Sequence, residues 1–387
     1  MTSITQSLNE NDATNDIETY YRPFNVLESI SNRQLGISTP SFKYKMRDMK
    51  VKQLSRSSNT FEVANCSNMM CKFIGASTYA PDSLIGVWKQ NDSENFHSVV
   101  HLKIQYSPTS GNDISMPVYI PVQDGPFNMN LDVRDFLYTT ANDENILYVI
   151  GNTETSGRLQ LLSEPLEEWT LDETEMEFPN FVYSVAIHSR NPVIAVGGEN
   201  TCYLYDSEEF DDEVEAFVLP EMPGIVHALT FNEDGDILYI GCDDGELLSF
   251  DLRLDGNDLS YKPFCPCGIE GVIDMKLLSN ERQLAFADVD GDMGLLDLRK
   301  RRAIFHYPEH KNSLYSRKFT INDELDLMCA TGDDNITRLW SLSSGKLLKR
   351  IVPPNKEEIT HSCLISYHRQ WFVVEVQNNV ITPILIS

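Results

Sequence analysis

The stretch CATGDDNITRLWSLS, residues 329 to 343, decides the reading of the chain, because three other stretches repeat its texture. They are IAVGGENTCYLYDS (194 to 207), YIGCDDGELLSFDLR (239 to 253) and AFADVDGDMGLLDLR (285 to 299). Each reads as strand, tight turn, strand: an apolar run, a cluster of Gly, Asp or Asn, and a second apolar run. The residue closing the second strand recurs as Asp206, Asp251, Asp297 and Ser341, at spacings of 45, 46 and 44 residues. Seven positions before each lies an acid, Glu199, Asp244, Asp290 or Asp334, and just before the closing residue stands Tyr205, Phe250, Leu296 or Trp340. A turn carboxylate that organises each hairpin, with a large side chain packed beside it, accounts for both spacings.

Working outward, further apolar strands lie at FVYSVAIH (181 to 188), IVHALTF (225 to 231), VIDMKLL (272 to 278), LYSRKF (314 to 319) and HSCLIS (361 to 366). These read as inner strands. A period of about 40 to 45 residues with four strands per unit is the signature of a WD-repeat β-propeller blade. His310, Asp334 and Trp340 occupy the His, turn Asp and strand Trp positions of that repeat. Residues 133 to 180 hold another blade and residues 80 to 131 a less regular one, whereas the segment 358 to 387 has three strands and needs a fourth. That strand is expected from residues 59 to 77, in NTFEVANC or CKFIGAS, which makes a seven-bladed all-β ring over 59 to 387 with no open sheet edge at its closure.

Ahead of the ring, residues 1 to 40 are rich in Ser, Asn, Thr, Asp and Glu and read as a disordered tail. Residues 41 to 58 open with SFKYKMRDMKVKQLSR, a basic segment with Phe42, Met46 and Met49 at helical spacing. The chain carries 58 acidic against 31 basic residues, a formal charge of -27, which excludes generic phosphate attraction as its main activity; no direct nucleic-acid binding is expected. No apolar run reaches a membrane span, and the first residues have no basic or apolar leader pattern, so a soluble, unsecreted protein without membrane contact is expected. Eight scattered Cys read as reduced, mostly buried thiols of nucleus or cytoplasm. No metal or other cofactor is expected: His97 and His101 in HSVVH lack the Glu of a zinc-protease motif, and Cys66, Cys71, Cys265 and Cys267 lack zinc-ribbon spacing. No phosphate-cradling glycine motif and no nucleophile elbow occurs, and the repeated acids fall in separate blades as turn formers, so no catalytic residues are assigned. The acidic stretches 164 to 177 and 206 to 215 read as solvated loops between blades, with Trp169 and Phe210 as side chains that could engage a basic partner.

Two of the repeated turns differ from the others. Phe250-Asp251-Leu252-Arg253 and Leu296-Asp297-Leu298-Arg299 both read Asp-Leu-Arg, and the period puts both arginines on one rim of adjacent blades. Such a pair can bind a partner's carboxylates or carbonyls, or each Arg can pair with its own Asp and fix the turn. The order of two Asp-Leu-Arg blades followed by a Trp-Ser-Leu blade, from 238 to 345, resembles the DDB- and cullin-4-associated factor family, member four. The resemblance implies a non-catalytic substrate receptor of a cullin-4 RING E3 ubiquitin ligase, docked on the DDB adaptor and recruiting a protein for ubiquitination. It assigns Phe250, Asp251, Arg253, Asp297 and Arg299 to the adaptor contact, with Leu296 departing from the family's aromatic. It also makes Phe42, Lys43, Lys45, Met46, Arg47 and Met49 a candidate second contact, where the bare sequence reads equally as an import signal or a basic linker. Two other readings stay open. One is a WD-repeat scaffold of a different multiprotein complex, and the other is a propeller enzyme, which would need convergent polar groups in a deep central pocket.

Overall fold

A computed structural model describes residues 41–387 except 53, 57–59, 64–65, 67–68, 77–82, 91–96, 108–117, 142–143, 165–169, 189–192, 207–215, 220–221, 255–261, 264–270, 312–317, 356–357, 359, 368–369 and 387. The tail expected over 1–40 lies outside the described residues. Two units separate by contact density, Met1–Met46 and Arg47–Ser387, and the second is a seven-bladed, all-antiparallel β-propeller. Blades 1 to 7 are numbered here in chain order. Their innermost strands are Met69–Ala76, Asp132–Ala141, Val182–Ile187, Val226–Phe231, Val272–Leu277, Thr320–Asn322 and Thr360–Tyr367.

The middle strands are mostly apolar because both of their faces are covered. In blade 5, Leu284, Phe286 and Leu296 face blade 4, against Tyr239 and Leu247, while Ala285, Ala287 and Leu295 face blade 6, against Met328 and Trp340. Alternate side chains of one strand point to opposite faces, so one run of four apolar residues, Leu284 to Ala287, serves two interfaces. Burying each Leu or Phe contributes about 1.5–3 kcal/mol. Blade 7 closes on blade 1 in the same way, with Phe372 and Val374 packed in one cluster with Trp88 and Val100. Its outer strand comes from the start of the ring: Ser55–Arg56 and Phe61–Glu62 both pair with Val380–Ile386. NTFEVANC thus supplies the closure, and CKFIGAS is instead part of the inner strand of blade 1.

The turns between second and third strands explain the repeated acid. Asn200, Gly245, Gly291 and Asn335, each immediately after Glu199, Asp244, Asp290 or Asp334, sit at positive φ, where Gly and Asn are least strained. The carboxylate then folds the turn: Asp244 accepts the Glu246 N–H at 3.0 Å and Asp334 the Ile336 N–H at 3.2 Å. In blade 6 His310 packs edge-on to Trp340 at 5.7 Å, and the indole donates to the Pro308 carbonyl at 3.1 Å. Two sequence expectations need correction. Of the acidic stretch 164 to 177, residues 165–169 lie outside the described residues and residues 170–177 are not interblade loop, since Thr170–Phe178 is the outer strand of blade 2, where one face is solvated and charge is tolerated. The inner strand of blade 6 is described at Thr320–Asn322 and excludes residues 318 and 319 of the expected 314 to 319, of which 314–317 lie outside the described residues.

Antiparallel order assigns each turn to one of two faces. The turns after the third strands, which carry Asp-Leu-Arg, share a face with the turns after the first strands: the Leu252 N–H reaches the Asp236 carbonyl at 2.7 Å and the Leu298 N–H the Arg282 carbonyl at 2.9 Å. The starts of the innermost strands and the acid-bearing turns lie on the opposite face, where the Asp243 N–H reaches the Ile225 carbonyl at 3.1 Å.

Candidate partner-binding surfaces

At the Asp-Leu-Arg turn of blade 4, Phe250 is fully buried among Leu238, Leu248 and Leu252. It is a core side chain that holds the turn in place, and it offers a partner no surface. Asp251 binds its own turn: Oδ1 accepts from the Arg253 N–H at 3.2 Å and from Arg253 Nε at 2.8 Å, and Oδ2 from Nη2 at 2.6 Å. Asp236 adds a second carboxylate at 3.5 Å. These carboxylates hold the guanidinium still more firmly protonated, the Asp251 hydrogen bonds contributing most. Arg253 nevertheless keeps 62% of its side chain exposed, and exposed pairs of this kind are easily exchanged.

Blade 5 solves the same turn differently. Leu296 is fully buried, and Asp297 accepts two backbone N–H groups, from Arg299 and Lys300, each at 3.0 Å. The Lys300 N–H leads in holding the Asp297 carboxyl below its usual range. With Asp297 engaged by the backbone, the Arg299 side chain stands exposed, in a run with exposed Lys300, Arg301 and Arg302 and beside exposed Arg282 across the turn. On a chain of charge -27 this is a local basic rim.

In blade 6 Ser341-Leu342-Ser343 replaces Asp-Leu-Arg, and both missing charges return from elsewhere in the chain. Asp326 supplies the carboxylate, accepting from Ser341 Oγ and the Ser343 N–H at 2.7 Å each. Arg47 supplies the guanidinium: its Nη1 donates to the Asp326 carboxylate, to the Asp326 carbonyl at 3.0 Å and to Ser341 Oγ at 3.3 Å. Arg47 lies in helix α1, Ser41–Lys52, and is only 7% exposed. Four residues on, Val51 is fully buried with Leu339, Val373 and Ile384. Arg47 therefore acts within the chain and cannot also be a free contact, a correction that follows from its burial against Asp326. Met49 is half-buried, Lys50 and Lys52 are exposed, and the side chains of Phe42, Lys43, Lys45 and Met46 lie outside the described residues.

Among the described residues no group of three or more His, Cys, Asp or Glu could hold a metal. His97 is fully buried with Nδ1 at 2.6 Å from the Leu131 carbonyl, and burial pushes its pKa down to about 4; His101 stacks on Tyr138 at 5.8 Å. Cys66, Cys71, Cys202, Cys242, Cys329 and Cys363 are buried thiols, and burial pushes Cys66 up to about 11 and Cys242 and Cys329 up to about 12. Cys265, Cys267, Trp169 and Phe210 lie outside the described residues.

The model of the DDB1- and CUL4-associated factor 4 beta-propeller domain matches residues 223–367, which span blades 4 to 6, both Asp-Leu-Arg turns, Asp326 and Ser341. DDB1- and CUL4-associated factor 4 of Bos taurus is 33% identical over 118 residues, 30% of this chain and 24% of that protein. Human DDB1- and CUL4-associated factor 4-like protein 2 is 31% identical over 118 residues, 30% of each chain. The aligned part is thus under a third of either relative's length. The crystal structure of Chaetomium thermophilum Raptor superimposes with a TM-score of 0.62 over 93% of this chain and 32% of that one at 14% identity, which shows the fold alone. This chain is a WD-repeat protein-interaction scaffold whose blades 4 to 6 are similar to those of the DDB1- and CUL4-associated factor 4 family.

Proposed function

We propose that this propeller is a non-catalytic substrate receptor of a cullin-4 RING E3 ubiquitin ligase, working in nucleus and cytoplasm, and that it docks on the DDB adaptor through the face bearing Arg253 and Arg299. The observation that carries this reading is the family match over the very blades that hold both Asp-Leu-Arg turns. Local chemistry supports it. Asp297 leaves the Arg299 fork to the solvent, and the Asp251–Arg253 pair can be exchanged for a partner's carboxylate or carbonyl. The mechanism is positioning: one face holds the ligase while the protein substrate is held elsewhere, raising its effective concentration at the ubiquitin-loaded enzyme.

Affinity capture of wild type against the Arg253→Ala/Arg299→Ala double variant, with thermal melting as a folding check, tests this. Loss of the DDB adaptor and cullin-4 from a normally melting variant is the expected result. Wild type that captures neither refutes the reading. A second reading, a scaffold of another complex, is favoured by Arg253 being satisfied by Asp251 and Asp236 within its own blade. Capture of a different stable core, unchanged in the double variant, supports that one.

A further inference from the structure

The turn joining the third strand of blade 5, Met293–Asp297, to its outer strand, Arg302–His306, is built on the same frame as that of blade 6. Asp297 to Arg302 corresponds to Ser341 to Lys346. The Leu298 and Leu342 N–H groups each reach a carbonyl of the first-strand turn, at 2.9 and 3.0 Å, and Asp297 pairs with Arg302 where the Ser341 N–H meets the Lys346 carbonyl. In that frame Arg301 stands at φ +51, where blade 6 has Gly345 at φ +69. Left-handed backbone strains an L side chain and suits glycine, so blade 5 keeps a guanidinium at a position that its own fold would fill more easily without one.

Charge on this turn is one-sided. Arg299, Lys300, Arg301 and Arg302 are consecutive and exposed. Asp297 is the turn's single carboxylate, 12% exposed and engaged by the Arg299 and Lys300 N–H groups, with Lys300 Nζ 4.0 Å away. The corresponding turns on either side do not offset the excess: blade 4 has Asp251 against Arg253, and blade 6 has Lys346 and no acid. The carboxylates of this face sit instead on the first-strand turns around the channel, at Glu233, Asp234, Glu281, Asp323 and Glu324, together with Arg282. Of these, Glu281 accepts the Glu233 N–H at 2.5 Å and Asp323 the Ser279 N–H at 2.6 Å, while Asp236 and Asp326 are turned to Arg253 and Arg47. The face is therefore divided, acidic around the channel and basic at the outer turn of blade 5. Two apolar side chains of the same rim are exposed, Leu254 in blade 4 and Ile304 two residues beyond Arg302. Ile304 is the bulged residue of the outer strand, since Leu295 pairs with Phe305 and Leu296 with Ala303.

We propose that the outer turn of blade 5 binds a short acidic segment of a partner protein, its carboxylates held by Lys300, Arg301 and Arg302 and its adjoining apolar side chain covering Ile304. Arginine forks take carboxylates with two parallel hydrogen bonds, and no acid of the turn competes for these three side chains except the backbone-engaged Asp297. A nucleic acid fits the surface less well, because its charge continues past the turn onto the acidic inner ring and Ile304 offers a phosphate nothing. The site uses cations beyond the Asp-Leu-Arg motif, so it does not depend on the ligase reading.

The test is fluorescence anisotropy of the full chain with a labelled oligoglutamate peptide ending in leucine, at about 0.15 M salt, where a Debye length of ~8 Å screens the acidic body of the protein but not a contact pair. Arg301→Gly is the decisive variant because it suits the backbone: melting at or above wild type, together with binding weakened about tenfold, is expected. Arg302→Ala should weaken binding by a similar factor, and Ile304→Ser should weaken the leucine-ended peptide but not oligoglutamate alone. Lys311→Ala removes an exposed cation of the opposite face and should bind as wild type. Absence of oligoglutamate binding, or binding indifferent to both Arg301→Gly and Arg302→Ala, overturns the proposal. Equal weakening by Lys311→Ala also overturns it, since the peptide then reads bulk charge. A single-stranded oligonucleotide of equal charge that binds more tightly than the peptide overturns it in favour of nucleic acid.

Discussion

Replacing Asp326 by alanine removes the carboxylate on which blade 6 and helix α1 converge, and the cost can be worked from its partners. Asp326 is 10% exposed and Arg47 7%, so the variant leaves a buried guanidinium with Asp48 as its remaining carboxylate and without its bond to Asp326, a loss of about 1.5–3 kcal/mol when the structure cannot relax. Relaxation is available, because α1 can lift and return Arg47 to water at the expense of Val51, whose burial is worth about 1.5–3 kcal/mol. The Ser343 N–H and Ser341 hydroxyl still lose their acceptor, about 1–3 kcal/mol more. Both routes lead to about 2.5–6 kcal/mol, or a melting decrease of about 5–12 °C at about 2 °C per kcal/mol for a long chain. Arg47→Ala should cost less, since Asp326 keeps Ser341 and Ser343, and the double variant should reveal a coupling of about 1–3 kcal/mol. Urea melts of the four proteins give the cycle, and amide exchange over residues 47–52 reports undocking of α1. An Asp326→Ala protein that melts within about 1 °C of wild type with α1 amides still protected would refute the reasoning.

Three other outcomes follow from the same geometry. Arg299→Ala should weaken adaptor capture more than Arg253→Ala, because only Arg253 has carboxylates of its own blade to leave; equal effects in quantitative capture would contradict this. His97 has its folded pKa lowered to about 4, so the unfolded chain binds the extra proton between that value and its own of about 6.5. Stability therefore rises with pH across this window, by on the order of 3 kcal/mol from this group, and urea melts of His97→Gln should show a flatter slope there. Gly291 sits at φ +83, so Gly291→Ala should cost about 1–2 kcal/mol while Gly291→Asn stays near wild type in thermal melting.

The ring was legible in the sequence where the repeat is strict. The third-strand ends at Asp206, Asp251, Asp297 and Ser341 mark blades 3 to 6 because each middle strand is buried on both faces and tolerates few polar residues. Outer strands escape that constraint, which is why the acidic Thr170–Phe178 reads as a loop and is a strand. Phe250 shows the converse: its place beside Asp251 and Arg253 reads as part of a contact, yet the same aromatic is what the interior needs to anchor the turn.

Long-range pairs are hidden for a different reason. Arg47 and Asp326 lie 279 residues apart, and neither stands out among 31 basic and 58 acidic residues. The signal that points to them is the departure at blade 6. A turn that has lost both Asp and Arg still presents the Ser343 N–H, which needs an acceptor, and a carboxylate brought there by Asp326 needs a cation. Five innermost strands leave a similar trace where their pairing with the second strand slips by one residue, since the bulged residues Lys72, Arg134, Tyr183, His227 and Ile273 each follow a Val or Cys buried at the start of the strand. That buried residue recurs with the blade while the bulged residue after it changes character, so the strand start keeps the ring closed and leaves its neighbour at the channel mouth free to differ in chemistry from blade to blade.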